Sequence, residues 1–97
     1  MYKLDELRAK RKEIYRIAKA YKVEKLFVFG SCARKEETPN SDVDFIAEFA
    51  SGATLFDHAG AEYDIGEFLA GKVDIVDADV LKDDRFGKNV QRDMVLL

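Results

Sequence analysis

The chain has 97 residues, the length of one small domain with a modest core. Hydrophobic residues make up 47% and charged residues 36%, a balance that excludes a disordered chain. Apolar runs of only a few residues exclude a transmembrane helix, and a lone cysteine, Cys32, excludes an internal disulfide or a cysteine-built metal cluster.

The net charge of −3 hides an asymmetry. Residues 1–35 carry 11 Lys/Arg against 4 Asp/Glu, and residues 36–97 carry 5 against 15. A basic first third suits a triphosphate, an RNA or an acidic partner; the plainer reading of the charge run alone is a solvated helix face. The opening MYKLDELRAK has no apolar signal core. The expectation is a cytoplasmic, single-domain protein spanning 1–97.

In chain order, residues 3–21 place Leu4, Leu7, Ile14, Ile17, Ala18 and Tyr21 at helical spacing, which predicts one amphipathic helix. Residues 24–29, EKLFVF, predict a buried strand ending at Gly30. A short helix is expected to start at Ser31, followed by turn chemistry at Thr38-Pro39-Asn40-Ser41. Residues 42–49, DVDFIAEF, predict a second strand. Alternation puts Asp42, Asp44, Ile46 and Glu48 on one face, and Val43, Phe45, Ala47 and Phe49 on the core face.

Residues 54–70 predict a helix capped by Thr54 with Asp57 three positions on. Phe56, Ala59, Tyr63 and Phe68 are expected to supply its apolar stripe. Residues 72–77, KVDIVD, predict a third strand with Val73 and Ile75 inward and Asp74 on the opposite face; a last helix is expected from about Asp84 to Leu97. The fold class is α+β, an α/β sandwich in which a small mixed sheet is backed by helices.

Chemistry gathers at two places. Asp42 and Asp44 share a strand face with Cα atoms about 6.5–7 Å apart. Carboxylates so placed repel each other when empty, and a hard dication such as Mg²⁺ relieves that repulsion through oxygen ligands. Asp74 is placed to add a third carboxylate, with Asp77 at the strand end as its competitor. Gly30 lets a ligand approach the backbone, and a helix starting at Ser31 aims N–H groups at phosphate. Arg34 and Lys35 add positive charge nearby. Cys32 reads as a small packing residue, His58 as a surface residue in the first turn of its helix.

Gly30-Ser31, ten residues, then Asp42-Val43-Asp44 resembles the G-S-x10-D-x-D signature of the polymerase-β-like nucleotidyltransferase superfamily. Lys72-Val73-Asp74-Ile75-Val76 resembles the strand that carries its third carboxylate. Length and layout are similar to the minimal nucleotidyltransferase (MNT) domains over essentially the whole chain. The resemblance implies a palm-like fold, ATP as substrate with two Mg²⁺ ions, and AMP transfer with release of pyrophosphate. It implies catalytic and metal-binding roles for Asp42, Asp44 and Asp74, and nucleotide contacts from Gly30, Ser31 and Arg34. It also implies a partner, a HEPN-domain RNase toxin that the MNT antitoxin adenylylates on a tyrosine. Cys32 stands where the family commonly has a basic residue, and Lys35 where it often has glycine; both alter the phosphate grip.

Two other functions remain open on the sequence: an antitoxin that inhibits its HEPN partner by docking alone, and a small-molecule nucleotidyltransferase. No direct nucleic-acid binding and no membrane association are expected, and homo- or hetero-oligomers are both compatible with the chain.

Overall fold

A computed structural model of the chain describes residues 3–30, 32–33, 42–81 and 94–97. The expected first helix is two helices, α1 (Lys3–Ala9) and α2 (Arg11–Ala20). They meet at Lys10, whose backbone (φ −99°, ψ 12°) leaves the helical region. Its N–H is shared between the Glu6 and Leu7 carbonyls at 3.1 and 3.2 Å, so the Lys10 N–H stays paired at the break. The apolar stripe survives the break. Leu4, Leu7, Ile14 and Ala18 are buried, and Ile17 and Tyr21 pack at their margin.

Four strands follow the order β3-β2-β1-β4. β1 (Val23–Phe29) runs antiparallel to β2 (Val43–Phe49), and β2 runs parallel to β3 (Val73–Asp77). The parallel pair needs a crossover. It is supplied by α3 (Leu55–Leu69), which opens on the expected capping box: Thr54 accepts from the Asp57 N–H while the Asp57 carboxylate accepts from the Thr54 N–H. A 3₁₀ turn spans Ala78–Leu81 after β3. The expected final helix is corrected at its end. Val95–Leu96 form β4, antiparallel to β1, and the rest of that segment up to residue 93 lies outside the described residues.

The alternation predicted for β2 holds on its core face. Val43, Phe45 and Ala47 are buried together with Leu26 and Val28 of β1 and Val73 and Ile75 of β3. On the opposite face Ile46 is also buried, in a small second cluster with Phe27, Phe29, Val76, Ala78 and Met94. Both layers of the sheet therefore carry apolar packing, but only one carries most of the core.

The stripe expected for α3 is corrected. Ala61, Ile65 and Leu69, four residues apart, face the core, whereas Phe56 is 88% and Tyr63 68% exposed. Residues spaced by four recur on one side of a helix of 3.6 residues per turn. The larger aromatic side chains occupy the outer side. Gly60 has its own reason to be there. The Tyr21 ring lies directly over it, with its hydroxyl donating to the Asp64 carboxylate, and a Cβ on residue 60 would collide with the ring.

Exposed strand edges invite pairing with other chains, and helix side chains occupy edge positions beside β1 and β3. Beside β1, the Tyr15 hydroxyl accepts from the Leu26 N–H at 3.0 Å, while the Leu26 carbonyl accepts from the Leu97 N–H at 2.9 Å. Beside β3, the Glu62 carboxylate accepts from the Ile75 N–H at 2.9 Å, and the His58 Nε2 lies 2.6 Å from the Ile75 carbonyl. A carbonyl only accepts, so this contact needs the tautomer with hydrogen on Nε2. Among the described residues, no helix is long and apolar enough to cross a membrane.

Candidate active site

The register of the sheet assembles three aspartates. Asp44 lies opposite Phe29, the last residue of β1, and opposite Asp74 of β3. Asp42 precedes it by two positions and so points to the same side. All three stand at the end of the sheet where β1 stops and β2 and β3 begin. The carboxylates singled out from the sequence are thus neighbours in space, although Asp42–Asp44 and Asp74 are thirty residues apart. Asp77 does not join them. Its carboxylate accepts from the Asp79 N–H at 2.9 Å and caps the 3₁₀ turn at the other end of β3.

Gly30 closes the site from the β1 side. It adopts φ +75°, a conformation that disfavours any residue with a side chain. A Cβ there would also lie 3.0 Å from the Asp44 Oδ2. Glycine therefore does two things at one position: it turns the chain out of the strand and leaves room for the carboxylate. Ser31 and Arg34, the other expected phosphate contacts, lie outside the described residues, as does Lys35.

The electrostatics match a site built for a cation. Asp44 is half-buried, and burial is the largest cause of a pKa raised above the ordinary carboxylate value. The negative charges of Asp74 and then Asp42 push it in the same direction. Lys72 stands at the rim with its Nζ 3.7 Å from the Asp42 Oδ2, a long and solvent-exposed contact that offsets little of this repulsion. Asp74 itself is exposed.

Among the described residues, no three ligating side chains are already gathered as a metal cage. The donor set still fits Mg²⁺. That ion takes oxygen ligands, binds through one or two carboxylates, and completes its shell with water and substrate phosphate. Asp42 and Asp44, joined by Asp74 across the strand pair, are such a set, and their mutual repulsion is the quantity a dication would remove.

Two residues near the site have readings the sequence left open or missed. Cys32 is buried in the main core, with its Sγ 3.6 Å from the Asp42 carbonyl oxygen. It is a packing residue that ties the chain after Gly30 to the start of β2, as expected. His58 is not the surface residue expected of it. It is half-buried, stacked on Phe49 with ring centroids 5.4 Å apart, and bonded to the edge of β3. Glu62 and Lys72 were not singled out at all. A helix side chain bonded to a strand backbone thirteen residues away leaves no local pattern to find.

The basic excess of the first third goes elsewhere. Arg11, Lys12, Arg16, Lys19 and Lys25 line a separate groove of about 530 Å³ beside α2, and none of the three aspartates lines it.

Comparison with known proteins identifies the family and the fold. A family model described as a nucleotidyltransferase domain matches residues 4–97. The protein MJ0128 of Methanocaldococcus jannaschii, named as a protein adenylyltransferase, is 32% identical over 75 residues, covering 77% of this chain and 76% of its own. A solved structure described as a minimal nucleotidyltransferase superposes with a TM-score of 0.84 at 34% identity, over 100% of this chain and 97% of that one. A toxin–antitoxin structure with AMP-PNP shares the fold at 19% identity, with a TM-score of 0.68 over 88% of this chain and 69% of its own.

Proposed function

The chain belongs to the nucleotidyltransferase domain family, and from that premise we propose that it is a Mg²⁺-dependent protein adenylyltransferase whose acceptor is a tyrosine of a HEPN-domain toxin. The observation that carries the proposal is the convergence of Asp42, Asp44 and Asp74 on one end of the sheet, beside a glycine that leaves room for them. Protein modification is favoured by the relative named for that activity, and a toxin partner by the toxin–antitoxin structure that shares the fold.

In this reading Gly30, Ser31 and Arg34 hold the phosphates of ATP, and Asp42, Asp44 and Asp74 hold two Mg²⁺ ions. When bound, the metal supplies positive charge to the phosphate oxygens as negative charge develops there. The acceptor hydroxyl oxygen forms a new bond to the α-phosphorus, and the bond from that phosphorus to the bridging oxygen breaks. Pyrophosphate leaves with the electron pair, and the hydroxyl proton passes to Asp74. The raised pKa of Asp44 belongs to the metal-free state, in which three carboxylates share one small volume.

The test is transfer of label from α-labelled ATP to a HEPN-domain partner in the presence of Mg²⁺. The Asp42→Asn/Asp44→Asn variant should lose transfer by at least about 100-fold, the loss typical of removing one preorganised electrostatic group from a reaction centre. Undiminished transfer would remove the site assignment. Full neutralisation of the partner by a transfer-dead variant would favour inhibition by docking alone.

A further inference from the structure

Helix α3 is apolar on both sides. Ala61, Ile65 and Leu69 form its buried stripe, while Phe56, Ala59 and Tyr63 line its opposite side and stand in solvent. Phe56 is 88% exposed and Tyr63 68%, and Leu55 beside them is 85% exposed. A helix with a second apolar side beyond its core stripe has more apolar surface than its own sheet covers. Scattered surface hydrophobics need no explanation, but an aromatic stripe along one helix face marks a contact surface.

The stripe leads toward the aspartates. A groove of about 720 Å³ runs from Ala59 and Tyr63 along α3, across Gly66 and Glu67, to Lys72, Val73 and Asp74 at the start of β3. Among the described residues its charged lining is acidic: Glu62, Glu67 and Asp74 face a single cation, Lys72. Lys72 is itself engaged with Asp42. The groove therefore joins an apolar docking face to a proposed catalytic carboxylate, with negative charge along the way.

We propose that this face of α3 docks the acceptor protein, through a helix whose apolar stripe meets Phe56 and Tyr63 and whose flanking lysines or arginines meet Glu62 and Glu67. The inference rests on the reading of the acceptor as a protein. Aromatic anchors ringed by charge are what protein contacts use, and an amphipathic helix in a groove is a recurrent mode of recognition. A second copy of the chain is disfavoured by charge. A two-fold contact would set this acidic groove against itself. Docking here brings a hydroxyl on the acceptor helix to the end of the groove where Asp74 stands.

The test uses two synthetic amphipathic helical peptides with one tyrosine each and the same apolar stripe, one flanked by lysines and the other by glutamates. Fluorescence anisotropy should show the lysine peptide binding at least about tenfold tighter, with the preference shrinking as salt rises. The Phe56→Ser/Tyr63→Ser variant should lose at least about tenfold of that affinity. Its thermal shift with ATP and Mg²⁺ should match the unaltered protein. No binding, equal binding of the two peptides, or indifference to the double substitution overturns the proposal. So does a dimer in sedimentation that the substitutions dissolve, since the occupant is then a second copy. The two readings fail separately. Asp42→Asn/Asp44→Asn should abolish the ATP–Mg²⁺ shift and leave peptide binding intact; if AMP transfer fails while peptide binding holds, the catalytic reading alone falls.

Discussion

The two faces of the sheet come from alternate residues of the same strands, and they do opposite work. On one, Val43, Phe45 and Ala47 of β2 disappear into a continuous core under the helices. On the other, Asp42 and Asp44 alternate with Ile46, so carboxylates sit beside a small apolar cluster. Alternation along a strand lets one segment serve both ends without compromise. The core face supplies stability, and the carboxylate face spends some of it by holding like charges together. If that division is right, trimming apolar side chains and neutralising the carboxylates should move stability in opposite directions.

The largest effect belongs to the core face. Phe45 is fully buried, and Phe45→Ala should cost about 3–5 kcal/mol, enough to unfold most of a small domain. Ile46→Ala, on the other face, removes a side chain whose neighbours are only partly buried and are free to settle inward. Its cost should fall near the low end of the range for isoleucine, about 2 kcal/mol. Urea unfolding of the two variants measures the difference. Equal losses would mean that the second cluster is as much a core as the first.

The opposite sign is expected of Asp44→Asn. Folding raises the pKa of Asp44, chiefly by burial and then through Asp74 and Asp42. The native state therefore holds this proton to higher pH than the unfolded chain does. Between the two pKa values the native state binds more protons, so stability falls as pH rises through the folded-state value and stays lower above it. Asparagine removes that loss. Without Mg²⁺, the variant should melt above the unaltered protein at neutral pH, and the gap should close on acidification as Asp44 becomes protonated in both states. With Mg²⁺ and ATP the order should reverse, because only the unaltered protein gains from binding. Scanning calorimetry across pH, with and without Mg²⁺ and ATP, reads both outcomes. A variant less stable than its parent in the absence of metal would place Asp44 among the structural residues.

Much of this division is legible in the sequence, for reasons that also explain the failures. β2 and β3 alternate over their first residues, so the faces of Asp42, Asp44 and Asp74 follow from spacing alone, and Gly30 marks the end of β1. The aspartates' proximity also needs the strand register, which only the fold supplies. Helix α3 misleads because size and period disagree. Its aromatic residues draw the eye to Phe56 and Tyr63, yet the smaller Ala61, Ile65 and Leu69 keep the spacing that meets the sheet. β4 is two residues long and exists only by pairing with β1, and the bend at Lys10 leaves the apolar period intact. None of these leaves a local signal.

A smaller effect tests the helices that cover the core face. At Gly60, alanine would gain up to about 1 kcal/mol of helix propensity but would force its Cβ into the Tyr21 ring. That ring is held at its far end by the Tyr21–Asp64 hydrogen bond and has little freedom to move. Overpacking of this kind costs about 1–3 kcal/mol, so Gly60→Ala should be destabilising on balance. In the Tyr21→Ala background the collision is gone, and the same substitution should become neutral or stabilising. Thermal unfolding of the four proteins of that cycle measures the coupling.

The smallest effect lies at the edge where the two faces meet. Glu62 accepts from the Ile75 N–H and His58 approaches the Ile75 carbonyl, so two side chains of α3 occupy the hydrogen-bonding positions a further strand would use. Glu62→Ala should cost only about 1 kcal/mol, since water can reach the freed N–H at an edge. The informative readout is local. The Ile75 amide should exchange with deuterium about fivefold faster, matching that free energy, while amides of β1 stay protected to the same degree. If exchange accelerates across the whole sheet, Glu62 supports the core face and not merely its edge. If no amide changes, His58 and the β2 ladder hold the strand without it.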